Sequence, residues 1–362
     1  MCTKVESQSK RESENEITED EALLYDRQIR LWGVEAQRKL RNAKVLLIGL
    51  SAVGSEITKN LVLCGIDSLT VVDDQTVTIY DSLSHLFTQR ALGENRGKAS
   101  EANIKSLNPR VKVNTEQWNI AQMIDNRDKT LVDILRSVDV VCITNFDSQT
   151  ILKLNTLYRE LNNDNVKFYA VCTWGFFGYS FTDLGKNHKY IVEEVVQAEV
   201  EICDEPNMKK IKAEEQNKSF FEKNLSYVPF ETFLSIKAGK AGVGITKRTN
   251  PGVVLSHILF KFYSKHNRYP SPSNRAQDVE ELKSLQNEVV NELGVDEKMM
   301  SKLNKEEWWN NVFGEISPVC AIVGGVVGQD IIRAISAQDT PIKNLFLFDG
   351  LQCNGHIESL GK

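Results

Sequence analysis

The chain has no Cys-x-x-Cys pair, no excess of basic residues and no apolar run approaching the ~18 residues of a membrane-spanning helix. The first absence removes the usual ligand spacing of a structural zinc site. The second, with a net charge of -5, gives no general reason to expect nucleic acid or a membrane surface as partner. Secretion is not expected either, because the N-terminus is charged throughout rather than basic and then apolar. The seven cysteines, Cys2, Cys64, Cys142, Cys172, Cys203, Cys320 and Cys353, are odd in number and lack a pairing rhythm, which points to a reducing compartment. Most lie among aliphatic neighbours and read as small buried hydrophobes.

What is present is a chain of 362 residues, enough for one large α/β domain with an insert or for two domains. Residues 1–18 are almost wholly polar and read as a disordered tail. Tyr25, Ile29, Trp32, Ala36 and Leu40 then recur at helical spacing, with a break at Gly33, while Arg27 and Arg30 fall on the opposite face. Lys44 to Ile48 is a continuous aliphatic run, the mark of a buried parallel strand. It leads into the turn Gly49-Leu-Ser-Ala-Val-Gly54, a helix ending at Gly65, and a second strand closing on Asp73. Strand, glycine turn, helix, strand, acid is the first unit of a nucleotide-binding sheet. Further buried strands are expected at 138–144 and 167–172, with helices at 98–107, around Ile151 to Tyr158, at 252–263, 279–293 and 317–335, and a last strand pair at 345–348 and 355–360. The fold class expected is α/β, with a mainly parallel sheet and helices on both faces. Between 189 and 306 the charge-rich segment 209–223, the glycine-rich segment 238–244 and Pro270-Ser-Pro-Ser-Asn274 read as loops of an inserted region.

A glycine turn before a helix N-terminus aims backbone amides and the helix dipole at an anion. Asp73 stands where an acid binds ribose hydroxyls. Taken alone, the same pattern also fits a strand-to-helix turn with no ligand. The turn departs from its pattern, too: the glycine that lets a pyrophosphate approach is replaced by Ser51. The scaffold is of nucleotide-binding type and the site is eroded.

Tyr25-Asp-Arg-Gln-Ile-Arg-Leu-Trp-Gly33 and Arg41-Asn-Ala-Lys-Val-Leu-Leu-Ile-Gly49 resemble the opening of the ubiquitin-like-protein activating enzymes, kin of bacterial ThiF and MoeB-like enzymes. The resemblance continues through Asn60 to Gly65, Val72 to Val77, Leu107-Asn-Pro109, Gly175 to Gly185, Pro318 to Gly325 and Phe348-Asp-Gly350. It covers about half of the chain, at both ends. It implies a Rossmann-like adenylation domain in two parts, 19–188 and 307–362, around the insert 189–306. It also implies ATP and magnesium as cofactors of the activity, and Gly49, Gly54, Asp73, Lys98 and Asp147 as the nucleotide-binding positions. Where active members carry an Arg and a Gln that engage ATP, this chain has His85 and Leu86. Neither side chain replaces a guanidinium or an amide at a triphosphate. The thioester cysteine context and the zinc motifs of catalytic members are missing. Cys172 sits at a strand end and reads as core; Cys203 stands beside acids that blunt a thiol.

Arg27 matches the family's N-terminal arginine, which reaches across a dimer to the partner's ATP; without the resemblance it reads as a solvated arginine. Length and the eroded pocket match the short helper subunits of the SUMO-activating branch. These work as heterodimers with a catalytic subunit, on SUMO and ahead of the SUMO-conjugating enzyme, with nuclear residence. The alternatives are a helper for another ubiquitin-like protein, a purely structural dimerisation subunit, a self-contained homodimeric adenylating enzyme and a dinucleotide-dependent oxidoreductase.

Overall fold

The computed structural model describes residues 17–88, 91–163, 165–196, 217–239, 244–246, 248–295, 303 and 306–360. Most of the N-terminal tail, Cys2, Cys203, residues 209–216 and most of the glycine-rich segment 238–244 lie outside these. Three short helices come first, α1 (Glu19–Leu24), α2 (Asp26–Trp32) and α3 (Val34–Asn42), followed by β1 (Lys44–Ile48), α4 (Ala52–Cys64) and β2 (Ser68–Val72). A one-turn helix α5 (Asp81–Ser84) precedes α6 (Arg96–Leu107), β3 (Lys112–Glu116), α7 (Ile120–Asp125), α8 (Lys129–Ser137), β4 (Val140–Thr144) and α9 (Ser148–Leu161). Next are β5 (Phe168–Trp174), β6 (Phe177–Asp183), β7 (His188–Val196) and β8 (Asn217–Leu225). The chain closes with α10 (Phe230–Leu234), α11 (Gly252–His266), α12 (Arg275–Leu293), α13 (Glu306–Trp309), α14 (Ser317–Ser336), β9 (Leu345–Asp349) and β10 (Asn354–Glu358).

Eight strands form one sheet in the order β10-β9-β6-β5-β4-β1-β2-β3. The run from β5 to β3 is parallel, and β6, β9 and β10 are added antiparallel. Both faces are covered over the inner strands, so β1, β4 and β5 are apolar on both sides, whereas the edge strands β3 and β10 are more exposed. Leu46 and Ile48 face one cluster with α7 to α12, whereas Val45 and Leu47 face the other with α3, α4, α6 and α14. The sheet reverses strand order between β1 and its neighbours β4 and β2, and the crevice above that point carries the glycine turn.

As the sequence reading expects, the stripe from Tyr25 to Leu40 breaks at Gly33, where α2 and α3 meet with φ +85°; Tyr25, Ala36 and Leu40 are buried, while Leu31 and Val34 are exposed. One local outcome differs from that reading. The charge-rich segment ends in a strand, β8, paired with β7 in a separate two-stranded ribbon. Phe220 to Asn224 are all exposed, so no apolar alternation was needed to make the strand and none was there to read.

Helix α14 is long and apolar enough to cross a membrane by length and composition. It instead packs against α4 at glycine distance: a Cβ on Gly324 would lie 2.6 Å from Glu56 Cβ, and one on Gly328 2.8 Å from Asn60 Cβ.

Candidate nucleotide-type site and the helix of Arg27

Gly49 ends β1 with φ +81°, and any Cβ there would meet the Thr144 carbonyl at 2.6 Å. Gly54, in the first turn of α4, is equally close to the Gly49 carbonyl, at 2.7 Å. Both glycines are therefore required by backbone packing, whatever the turn binds. Ser51 is the N-cap of α4; its hydroxyl accepts from the Gly54 amide at 3.3 Å and pairs with the Thr144 hydroxyl at 3.0 Å.

Every group here that resembles a nucleotide contact is engaged by the chain itself. The amides of Ala52 and Val53, the free donors of the helix end, give hydrogen bonds of 2.9 and 3.1 Å to the two carboxylate oxygens of Glu315. The Thr173 hydroxyl donates to the same carboxylate at 2.9 Å. Asp73 is buried, accepting from the Leu50 amide at 2.5 Å and the Gln75 amide at 2.8 Å. It also pairs with Arg96 at 2.8 Å, and Arg96 spans on to Asp81 at 3.2 Å. Beside these lies a cleft of about 280 Å³, lined among others by Tyr80, Asp81, Arg96, Trp174, Tyr269 and Glu315.

The positions named by the resemblance are dispersed. Lys98 is exposed in the first turn of α6; the cation that reaches Asp73 is Arg96, two residues before it. Asp147 is the N-cap of α9, accepting from the Gln149 and Thr150 amides, both at 2.9 Å. His85 is buried, its Nε2 2.9 Å from the Leu50 carbonyl and its Nδ1 accepting from the Phe87 amide at 3.1 Å. Burial, then the neighbouring Arg96, pushes the imidazole down to about 4, so it is neutral at pH 7. Burial also pushes the Cys172 thiol up to about 12, which leaves little thiolate at neutral pH. Glu315 and Arg96 escaped the sequence reading because their partners lie 263 and 23 residues away from them.

Arg27 stands apart from this pocket, exposed on α2. Its neighbour Arg30 is tied to Asp26 at 3.0 Å, as an i,i+4 pair. The foot of α2 is fixed by residues from three separate stretches. The Tyr25 hydroxyl accepts from Asn108 Nδ2 at 2.8 Å, and Asn108 also donates to the Val62 carbonyl at 3.0 Å. Gly65, at φ +80°, has the Tyr25 ring where a Cβ would stand. Gln28 adds a bond to the Leu63 carbonyl at 3.4 Å. A rigid base thus carries an arginine into solvent. Around it are exposed Leu23, Leu24 and Leu31.

Comparison with known proteins bears on the whole chain. The ThiF family pattern matches residues 25–360. "SUMO-activating enzyme subunit 1" of Xenopus tropicalis is 36% identical over 352 residues, covering 95% of this chain and 97% of the relative. The proteins of that name from Homo sapiens and Danio rerio are 34% and 33% identical, covering 97% and 94% of this chain and 99% and 95% of the relatives. With the two-part sheet and the glycine turn at its switch point, these matches establish that the chain belongs to the ThiF family.

Proposed function

We propose that this chain is the non-thioester subunit of a heterodimeric SUMO-activating enzyme. With a catalytic partner it takes part in ATP-dependent adenylation of the C-terminal glycine of SUMO and its transfer to a cysteine of that partner. The observation that carries the reading is the contrast between two sites. The pocket at the glycine turn is filled by the chain's own Glu315 and Arg96, whereas Arg27 is exposed on an anchored helix. The foot of α2 packs on Gly65 at the C-terminal end of α4, whereas the glycine turn lies at the other end of that 13-residue helix, so a cation held there suits a phosphate presented by another subunit. There it would offset the charge that develops as the acyl phosphate anhydride forms and pyrophosphate leaves. ATP and magnesium would accordingly be held in the main by the partner.

The apolar surroundings support the same reading. Leu31 and Leu63 are 72% and 46% exposed, and Gln28 of α2 bonds to the Leu63 carbonyl. Exposed apolar groups gathered beside a functional side chain are what a docking surface needs.

The test is co-expression with a catalytic SUMO-activating subunit. A stable one-to-one complex that loads SUMO onto the partner's cysteine is expected, with neither subunit active alone. Failure to associate, or association without loading, would contradict the proposal.

A further inference from the structure

We propose, taking the glycine turn as a relinquished nucleotide pocket, that Glu315 is a built-in anion that holds phosphate groups out of it. The N-terminus of α4 is not merely available to an anion; it already has one. Glu315 Oε2 accepts from the Ala52 amide at 2.9 Å, and Oε1 from the Val53 amide at 3.1 Å and the Thr173 hydroxyl at 2.9 Å, with Cys320 Sγ at 3.8 Å. Two carboxylate oxygens on consecutive helix-end amides reproduce the way a phosphate sits at such a turn. The same carboxylate lines the cleft of about 280 Å³ that also exposes Arg96, close enough for Glu315 to favour the charged guanidinium. The cleft therefore keeps a cation and a helix end of nucleotide-binding type. The seat between them is taken.

Two consequences follow. A phosphate entering the turn must displace Glu315 into solvent or meet its negative charge at contact distance, which is repulsive at low local dielectric. Conversely, removing the carboxylate exposes two helix-end amides to a cleft that still carries Arg96. The ligand class thereby admitted is the di- or triphosphate group, free or on a nucleotide. Ser51 alone does not account for exclusion, since its hydroxyl is turned to Gly54 and Thr144.

The experiment uses the full chain without partner, as wild type, E315A and E315Q, and measures binding of ADP, inorganic pyrophosphate and adenosine by calorimetry. Wild type is expected to bind none at millimolar ligand. E315A is expected to bind ADP and pyrophosphate at least tenfold more tightly than wild type, with no gain for adenosine, and E315Q to gain in the same order but less. A wild type that binds ADP at micromolar concentration, variants that fold and gain nothing, or an equal gain for adenosine would each overturn the proposal. If E315A fails to fold, the wild-type and E315Q arms decide. Because no SUMO or partner is present, failure here leaves the loading assay above as an independent result.

Discussion

Asp330 lies fully buried on α14, one carboxylate oxygen accepting from the Ile342 amide at 2.8 Å and the other without a partner among the described residues. Burial raises it from 3.8 to about 6. A raised carboxyl holds its proton in the folded chain after the unfolded chain has released it. Stability is therefore fully present below about pH 4 and is lost as pH rises to about 6, by roughly 2–3 kcal/mol for this group. Asp330→Asn should remove that loss: the variant should melt higher than wild type at pH 7 and close to it at pH 4. A shift of equal size at both pH values would mean that protonation of Asp330 is not the cause. Arg96 is the counter-example, a cation 14% exposed at the cleft and satisfied on two sides by Asp73 and Asp81. Arg96→Leu should cost several kcal/mol, because it strands two buried carboxylates, and chemical unfolding would measure it.

Helix packing is set by side chains that are missing. The approach of α14 to α4 places Gly328 against Asn60, whereas Gly325 faces open space. Gly328→Val should therefore destabilise by about 1–3 kcal/mol through overpacking. Gly325→Ala should be neutral or slightly stabilising, since alanine favours the helix. Equal melting temperatures for the two variants would contradict this account of the interface. The same element shows why so much of the fold was legible in sequence. Its glycines announce a close helix contact without naming the partner, whereas the aliphatic runs of β1, β4 and β5 and the cap residues Gly65 and Gly294 act locally, so their signals sit next to the structure they determine. The ribbon β7–β8 lacked such a signal. In the candidate site, local chemistry identified the turn, Asp73 and the burial of Cys172, but not the residues that fill it. Glu315 reaches α4 from the other end of the chain, and only the topology brings them together.

At the scale of the whole molecule, a sheet of nucleotide-binding type carries Arg27, the cation proposed to act on a partner's nucleotide, exposed on α2. The three stretches that meet at Tyr25, Gly65 and Asn108 serve to hold α2, and α2 holds Arg27. The exposed apolar side chains beside it, Leu31 and Leu63, mark the face on which a partner is proposed to sit. Leu31→Asp should abolish co-purification with the catalytic subunit while leaving the unfolding free energy of the isolated chain within about 0.5 kcal/mol of wild type, as surface changes usually do. Intact association in that variant would move the docking face elsewhere.

The most direct test of the central claim, that this chain lends a positive charge to a nucleotide held by another subunit, is SUMO-dependent ATP–pyrophosphate exchange with the purified complex carrying wild type or Arg27→Ala. The account predicts an intact complex whose exchange rate falls by about 10²-fold or more, in the range of lost transition-state donors. An unchanged rate, or exchange at full rate by this chain alone, would contradict it.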